Sequence, residues 1–212
     1  ALFDEQGRYS EAEPLYQESL ALRQRLLGNQ HHYVAQNLNN LALLYKHQGR
    51  YSEAEPLYQE SLALRKRLLG DEHPDVATSF NNLASLYVQQ GRYSEAESFY
   101  LKSLRLRRQL FGDEHPSIAT SLNNLASLYV QQGRYSEAEF LFQEALTLRK
   151  CLLGDEHPDV GRCLDNFAML YNAQDNPEKA KPLYINALEI LEKSMGKEHP
   201  WTVRCRENLK ST

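Results

Sequence analysis

The feature that most constrains this chain is a repeat of 42 residues. Nine of its ten glycines fall on two series with that step. The segment GRYSEAEPLYQESLALR occurs at 7–23 and again at 49–65, and NNLASLYVQQGRYSEAE occurs at 81–97 and 123–139. Five units of this length fit into 212 residues. The spacing therefore predicts one continuous repeat array and not a set of unrelated domains.

The repeat boundaries follow from the same spacing. We predict a partial repeat at 1–28, full repeats at 29–70, 71–112, 113–154 and 155–196, and the start of a further helix or a cap at 197–212. Residues 1–6 match only the end of a first helix, and residues 200–210 resemble a first helix without its partner. These incomplete ends are surfaces that could associate with a second copy of the chain.

Each full repeat carries two helical patterns. In the first, called helix A, apolar residues stand at i, i+3, i+4 and i+7, as in Phe80, Leu83, Ala84 and Tyr87. Helix A is predicted to begin at a His-Pro pair, because proline is well tolerated at the first helical position. It is predicted to end near a glycine of the first series, such as Gly91.

The second pattern, called helix B, opens with Ser-x-x-Glu, which we interpret as a capping box. It occurs at Ser10/Glu13, Ser52/Glu55, Ser94/Glu97 and Ser136/Glu139. Prolines follow at Pro14, Pro56 and Pro182. Fraying or a bend is expected at these prolines, because proline removes a helical donor.

Neither helix can bury its apolar face alone, and short connections make consecutive helices antiparallel. The helix pairs must therefore stack on one another. The predicted fold is all-α, a right-handed superhelical solenoid of antiparallel helix pairs.

Composition and charge exclude several classes of protein. Charged residues make up 25% of the chain and the mean hydropathy is −0.63, which is too polar for a membrane span. A net charge of −4 provides no general attraction for phosphate backbones, so nucleic acid is not expected as a partner. We interpret basic clusters such as Arg65/Lys66/Arg67 as complements to the helix dipole on a solvated outer face.

The cysteines indicate a reducing compartment. Cys163 and Cys205 are one repeat apart, too far for a disulfide, which needs Cα atoms within about 7 Å. Cys151 is the third cysteine and leaves an odd number. An intracellular, cytoplasmic protein with free thiols is the expectation.

Catalytic and metal sites are not indicated. The recurrent histidines should lie roughly 10 Å apart in neighbouring repeats, whereas zinc ligands lie about 2.1 Å from the ion. We therefore interpret them as helix caps. The sequence contains no G-x-S-x-G, no glycine-rich phosphate loop and no H-E-x-x-H. No enzyme activity, cofactor or metal is predicted.

Paired asparagines recur in the middle of helix A, as at Asn81 and Asn82, with Asp165 and Asn166 in the last full repeat. Asparagine there costs about 0.5 kcal/mol relative to alanine, so a repeated use is expected. On a helical wheel the pair lies about 150° from the apolar stripe.

The motif Leu83, Ala84, Tyr87, Gly91, with Tyr93, Ala96 and Tyr100 after it, resembles the tetratricopeptide repeat. The 42-residue period with GDEHPDVAT and NNLASLY is similar to the repeats of the kinesin light chain cargo-binding domain and its bacterial relatives. The resemblance extends over essentially all 212 residues. It implies that the A helices line a concave surface that binds peptide segments of partner proteins.

Amides on such a surface could donate to and accept from the backbone of an extended peptide. The predicted groove residues are Asn39, Asn40, Lys46, Asn81, Asn82, Ser85, Gln89, Asn123, Asn124, Ser127, Gln131, Arg162 and Asn166. Two other interpretations stay open: a solvated face, or asparagines that bridge one A helix to the next.

The predicted function is a non-enzymatic scaffold that binds a protein or peptide ligand, with no membrane or nucleic-acid partner. Two alternatives stay open. The chain could be a structural or sensor arm of a larger multidomain signalling protein, or an accessory subunit of a motor. No heptad coiled coil precedes the repeats in this sequence, so motor attachment is not supported by it.

Overall fold

The structure, a computed structural model, describes the backbone from Tyr9 to Thr212 and the side chains from Glu11 onward. These residues form ten α-helices and no strand. The helices are α1 Tyr9–Leu27, α2 His32–His47, α3 Tyr51–Leu69, α4 Pro74–Gln89, α5 Tyr93–Phe111, α6 Pro116–Gln131, α7 Tyr135–Leu153, α8 Pro158–Ala173, α9 Pro177–Met195 and α10 Pro200–Lys210. Even numbers are A helices and odd numbers are B helices. The predicted all-helical repeat class is confirmed, while the helix end predicted at residues 1–6 lies outside the described residues.

The described residues form two compact units, which divide between Leu110 and Phe111. In the first unit α2 packs against α3, with α1 against α2 and α4 against α3. In the second unit α6 packs against α7 and α8 against α9, and α7 also packs against α8. A helices also touch each other within a unit, namely α2 with α4, α6 with α8 and α8 with α10.

The predicted apolar stripe of helix A forms the core of each hairpin. In α4 the side chains of Leu83, Ala84 and Tyr87 are buried, while Phe80 is half-buried. The corresponding stripes of the other A helices are buried as well: Leu38, Leu41, Ala42 and Tyr45; Leu122, Leu125, Ala126 and Tyr129; Leu164, Phe167, Ala168 and Tyr171. Burying a large side chain contributes about 1.5–3 kcal/mol, so these stripes supply most of the cohesion of a hairpin.

Each A helix begins at a histidine cap, as predicted. In α4, Nδ1 of His73 accepts a hydrogen bond from the backbone N–H of Asp75 at 3.1 Å. His73 has extended backbone angles and Pro74 follows as the first helical residue. The same cap occurs at His31, His115, His157 and His199. The histidine series therefore has a structural role at the helix ends.

The predicted capping boxes of the B helices are wrong. Helix α3 begins at Tyr51, and its N-cap residue Arg50 makes no side-chain cap. Ser52 consequently lies inside the first turn. The carboxylate of Glu55 is used elsewhere: it accepts from Nη1 of Arg92, in the connection after α4, at 2.8 Å.

The other boxes fail for the same reason, because α5 and α7 also begin at the tyrosine before the serine. Glu139 accepts from the hydroxyl of Tyr171 at 2.7 Å instead of from a cap. The side chain of Ser10 lies outside the described residues. These glutamates thus connect consecutive repeats.

The fraying expected at the prolines does not occur. Helix α3 runs through Pro56 without a break, as α1 and α9 run through Pro14 and Pro182. Ser52 and Pro56 are both exposed, so the Ser52 carbonyl, which has no donor from Pro56, lies on the solvent side of the helix.

The basic clusters are only partly a solvated face. Arg65, Arg107 and Arg149 are buried, whereas Arg67, Arg105 and Arg108 are exposed. Burial of Arg65 is tolerated because its guanidinium donates to the carbonyl of Asp75 at 3.0 Å. Three of these arginines therefore belong to the interior, and the sequence interpretation is corrected there.

Candidate functional site

The polar face of the A helices in the first unit is built from α2 and α4. Asn39 is 8% exposed, while Asn40, Asn81 and Asn82 are half-buried. The Nδ2 of Asn82 donates to Oδ1 of Asn39 at 2.8 Å. The amide of one A helix thus bridges to the preceding A helix.

The second unit repeats this bridge between α6 and α8. Asn123 is 6% exposed, and its Oδ1 accepts from Nδ2 of Asn166 at 3.3 Å. Asn124 and Asn166 are half-buried. The bridge therefore recurs at the same register as in the first unit.

A charged version of the bridge connects α8 and α10. Asp165 is buried and accepts from Nδ2 of Asn208 at 3.0 Å and from Nη2 of Arg204 at 2.6 Å. Sequence reasoning missed Arg204 and Asn208. Their spacing of 42 residues from Arg162 and Asn166 was the available signal.

These bonds divide the predicted asparagines into two sets. Asn39 and Asn123, the first of their pairs, are buried and accept the bridge, so little of either amide is exposed. The second of each pair is half-buried and keeps part of its amide accessible. The bridging interpretation describes the observed bonds, and an amide with two donors and two lone pairs has capacity left for a ligand.

Lys46 and Ser85 form a second contact between α2 and α4. The Nζ of Lys46 donates to Oγ of Ser85 at 3.0 Å. Burial lowers the pKa of Lys46, because the ammonium is removed from water. Both predicted groove residues are thus brought together, but as a pair that is already hydrogen-bonded.

Arg162 lies at the start of α8 beside the only tryptophan. Its guanidinium stacks on the ring of Trp201 at 3.7 Å from the centroid, and its Nη1 donates to Oδ1 of Asp159 at 3.0 Å. Burial lowers the pKa of Arg162, with a smaller opposing effect from Asp159. Arg162 and Trp201 thus form a close cation–π pair between α8 and α10.

Three predicted residues lie near the C-terminal ends of the A helices. Gln89 and Gln131 are exposed. Ser127 is half-buried and donates to the carbonyl of Asn123 in its own helix at 2.9 Å. The two glutamines are therefore the most accessible amides of the predicted set.

Asn40 also lines a pocket of about 380 Å³ in the first unit. The pocket lies between α1 and α2, and its other lining residues include Asn37, Leu15, Tyr16 and Arg23. In α3 the equivalent of Tyr16, Tyr58, is buried. The described residues leave this part of α1 open.

Among the described residues, no group of three or more His, Cys, Asp or Glu side chains could hold a metal ion. No helix in the same part of the chain is long and apolar enough to cross a membrane. All three cysteines are free thiols, as predicted, and Cys163 and Cys205 are buried.

Stacked helix pairs with bridged A helices define a helical repeat scaffold of the kind that proteins use to bind other proteins. A family profile described as tetratricopeptide repeat matches residues 1–67, 33–109, 75–150 and 162–212. The chain belongs to the tetratricopeptide repeat family. This is a family of non-enzymatic repeat scaffolds.

Solved structures show which tetratricopeptide repeat proteins this chain is similar to. BtubC (BKLC) from P. vanneervenii is 26% identical with a TM-score of 0.74, over 100% of this chain and 82% of that one. A protein of Podospora anserina assigned as a kinesin light chain, with nearly identical TPR-like repeats, is 25% identical with a TM-score of 0.70, over 91% and 92% of the two chains. A variant of that protein gives 26% and 0.72. The chain is thus similar to kinesin-light-chain-type repeat proteins, while a search of curated proteins gave no match.

Proposed function

We propose that the chain binds an extended segment of a partner protein along the A helices. The observation that carries this proposal is the recurrence, in both units, of half-exposed or exposed amides at the same helical positions. Asn82 and Gln89 occupy them in α4, and Asn124 and Gln131 in α6. An extended peptide offers N–H and C=O groups at regular intervals, with which the amides of either unit can pair.

The amide bridges support the proposal by holding the A helices in register. Because Asn82 is fixed by Asn39, its remaining hydrogen-bonding groups have a defined direction. Binding would then carry the entropy cost of ordering the peptide, but no further cost of ordering the A helices.

Binding is tested with an array of synthetic peptides probed with the wild-type chain and with the double variant Gln89→Ala/Gln131→Ala. These glutamines are exposed, so the fold should tolerate the change. We expect loss of roughly tenfold in affinity for the captured peptides, about 0.5–1.5 kcal/mol for each lost hydrogen bond. Gln109→Ala is the matched control, because Gln109 is exposed on a B helix. Equal loss in the control, or no loss in the double variant, contradicts the proposal.

A cytoplasmic location is part of the proposal, supported by the three free thiols.

Self-association of the chain through α1 is also part of the proposal. Leu22 of α1 is 44% exposed, whereas Leu64 at the equivalent position of α3 is 3% exposed. Light scattering over a hundredfold concentration range tests this, and a constant mass for the wild type and for Leu22→Ser would exclude it.

An accessory role in a motor is a second candidate, favoured by the kinesin light chain name of the similar Podospora anserina structures. Co-purification of the full reading frame with a kinesin heavy chain tests it. Absence of the complex would leave the peptide-binding scaffold as the function.

A further inference from the structure

The outer face of the third full repeat carries an apolar pocket that the A-helix surface does not include. Its volume is about 440 Å³, within the usual range for ligand pockets. Phe140, Leu148 and Cys151 of α7 line it, together with the carboxylates of Asp113, Glu114 and Glu144. The pocket therefore combines an apolar wall with an acidic rim.

Phe140 is unusual for its register. It is 70% exposed, and the same position holds Pro56, Ser98 and Pro182 in the other full repeats. Nothing in the fold of helix B requires an aromatic ring there, since three repeats form the helix without one. Exposed aromatic rings beside a pocket are typical of interaction sites.

The charge of the pocket also departs from its neighbours. In the last full repeat Lys193 stands where this repeat has Cys151, and its Nζ lies 2.5 Å from Oε1 of Glu156. Glu114 is the equivalent of Glu156, but no ion pair among the described residues includes it. The Lys193–Glu156 pair thus shows that a lysine ammonium fits next to a glutamate at the position of Glu114.

We propose that this pocket docks an amphipathic segment of a partner protein that presents a large aliphatic side chain beside a lysine or arginine. The aliphatic side chain covers Phe140 and Leu148, and the cation pairs with Glu114 as Lys193 does with Glu156. The site lies on α7, so it is separate from the proposed peptide surface on the A helices and does not depend on it.

Cys151 is a built-in reporter of occupancy. It is exposed and lines the pocket, whereas Cys163 and Cys205 are buried. Burial raises the pKa of Cys163 to about 11 and that of Cys205 to about 12, so neither forms a reactive thiolate at neutral pH. N-ethylmaleimide should therefore modify Cys151 alone in the folded chain.

The probe is a fluorescein-labelled amphipathic 12-residue helix of leucine and lysine, and the same peptide with glutamate for lysine is the peptide control. We expect the lysine probe to bind and to slow alkylation of Cys151 at least fivefold, with no effect from the glutamate peptide. Phe140→Ser should weaken binding about tenfold, because most of the ring would be buried on docking. Ser98 shows that this register folds with serine.

Two further variants separate the pocket from general charge attraction. Glu114→Gln should weaken binding about threefold, the range of an exposed ion pair. Glu72→Gln changes the net charge equally at the same register of the preceding repeat and should have no effect. Cys151→Lys, which places a cation as Lys193 does, should also abolish binding.

Unchanged affinity in Phe140→Ser, equal loss in Glu72→Gln, or alkylation of Cys151 unaffected by bound probe would each overturn the proposal. None of these outcomes bears on the peptide surface of the A helices. The variants at Gln89 and Gln131 should bind this probe like the wild type.

Discussion

The junction between helix B and the following helix A is polar in the first unit and apolar at the end of the second. Between α3 and α4, the buried Arg65 donates from Nη1 to the Asp75 carbonyl at 3.0 Å and to Oγ of Ser79 at 2.9 Å. Between α9 and α10, the same positions hold Leu191 and Cys205, both buried. The same pair of helices is thus held together by hydrogen bonds in one repeat and by apolar packing in another.

The comparison shows what the buried arginine needs. Arg149, between α7 and α8, is also buried and donates to the Asp159 carbonyl at 3.1 Å although Cys163 stands at the serine position, so the backbone carbonyl is the acceptor that the two arginines share. A buried guanidinium is tolerated only with acceptors, and Ser79 supplies one of them. A leucine needs none, and the thiol of Cys205 is a weak donor that reaches the Tyr184 carbonyl at 3.7 Å.

Leu191 of the apolar junction is also closely packed against the preceding A helix, α8. A Cβ on Gly161, where α4 has Ala77, would lie 3.0 Å from Cγ of Leu191. The turn between α8 and α9 also differs from those of the other repeats. Asp175 adopts a positive φ of 55° at the position that Gly91 occupies after α4. The last repeat therefore adapts at several linked positions.

The largest effect is expected from Leu191→Arg, which puts the charge of the first junction into the second. The cation would enter a site that is closely packed around Leu191 and lacks the serine acceptor, so it should cost about 3–5 kcal/mol of unfolding free energy, measured by urea titration. Adding Cys205→Ser should recover about 1–2 kcal/mol. Leu191→Met is the volume-matched control and should cost less than about 1.5 kcal/mol. If Leu191→Arg were tolerated alone, the two positions would be independent.

Gly161→Ala should destabilise by about 1 kcal/mol. Alanine gains helix propensity of about 1 kcal/mol, but overpacking against Leu191 and the Ala187 carbonyl costs about 1–3 kcal/mol. A shift of melting temperature measures the balance. The reverse change, Ala77→Gly, should cost about 1 kcal/mol from propensity alone. Stabilisation by Gly161→Ala would mean that the last repeat relaxes easily.

The buried tyrosines extend the comparison to single hydroxyls. Tyr184 in the second unit and Tyr58 in the first each have a buried hydroxyl with no partner among the described residues, whereas the hydroxyl of Tyr100 bonds to Ser85. Tyr184→Phe should therefore be neutral or stabilising, and Tyr100→Phe should cost about 1 kcal/mol. Phe142 occupies the same register naturally. Equal costs for both variants would contradict the assignment.

The smallest effect is expected from the double variant Arg65→Leu/Ser79→Cys, which carries the apolar junction into the first unit. Replacing a buried charged group by apolar residues of similar size is often neutral or stabilising. Unfolding by urea should therefore change by less than about 1 kcal/mol. A loss above about 3 kcal/mol would show that the junction of the first unit requires its charge.

Much of the fold could be predicted from the sequence, because it depends on local patterns. The i, i+3, i+4, i+7 stripe marked the buried face of helix A, and the histidine caps followed from the His-Pro pairs. The capping boxes could not be predicted correctly, since the choice between a cap and Arg92 as partner of Glu55 is made in the next repeat. The same holds for Asn39, whose burial depends on Asn82.

The sequence by itself determined the helices, their order and the polar and apolar faces, since residues within about four positions decide a helix. Only the tertiary structure decided which polar side chains are consumed by contacts between repeats. Arg65 and Asn39 look like surface residues in the repeat pattern, yet both are buried because the neighbouring helix supplies their hydrogen bonds. Phe140 shows the opposite case: its aromatic ring is of a kind usually found in a core, yet it is 70% exposed. The periodicity of the sequence predicts which face of a helix is polar. Hydrogen-bond partners about 40 residues away decide which polar groups on that face stay available to a ligand.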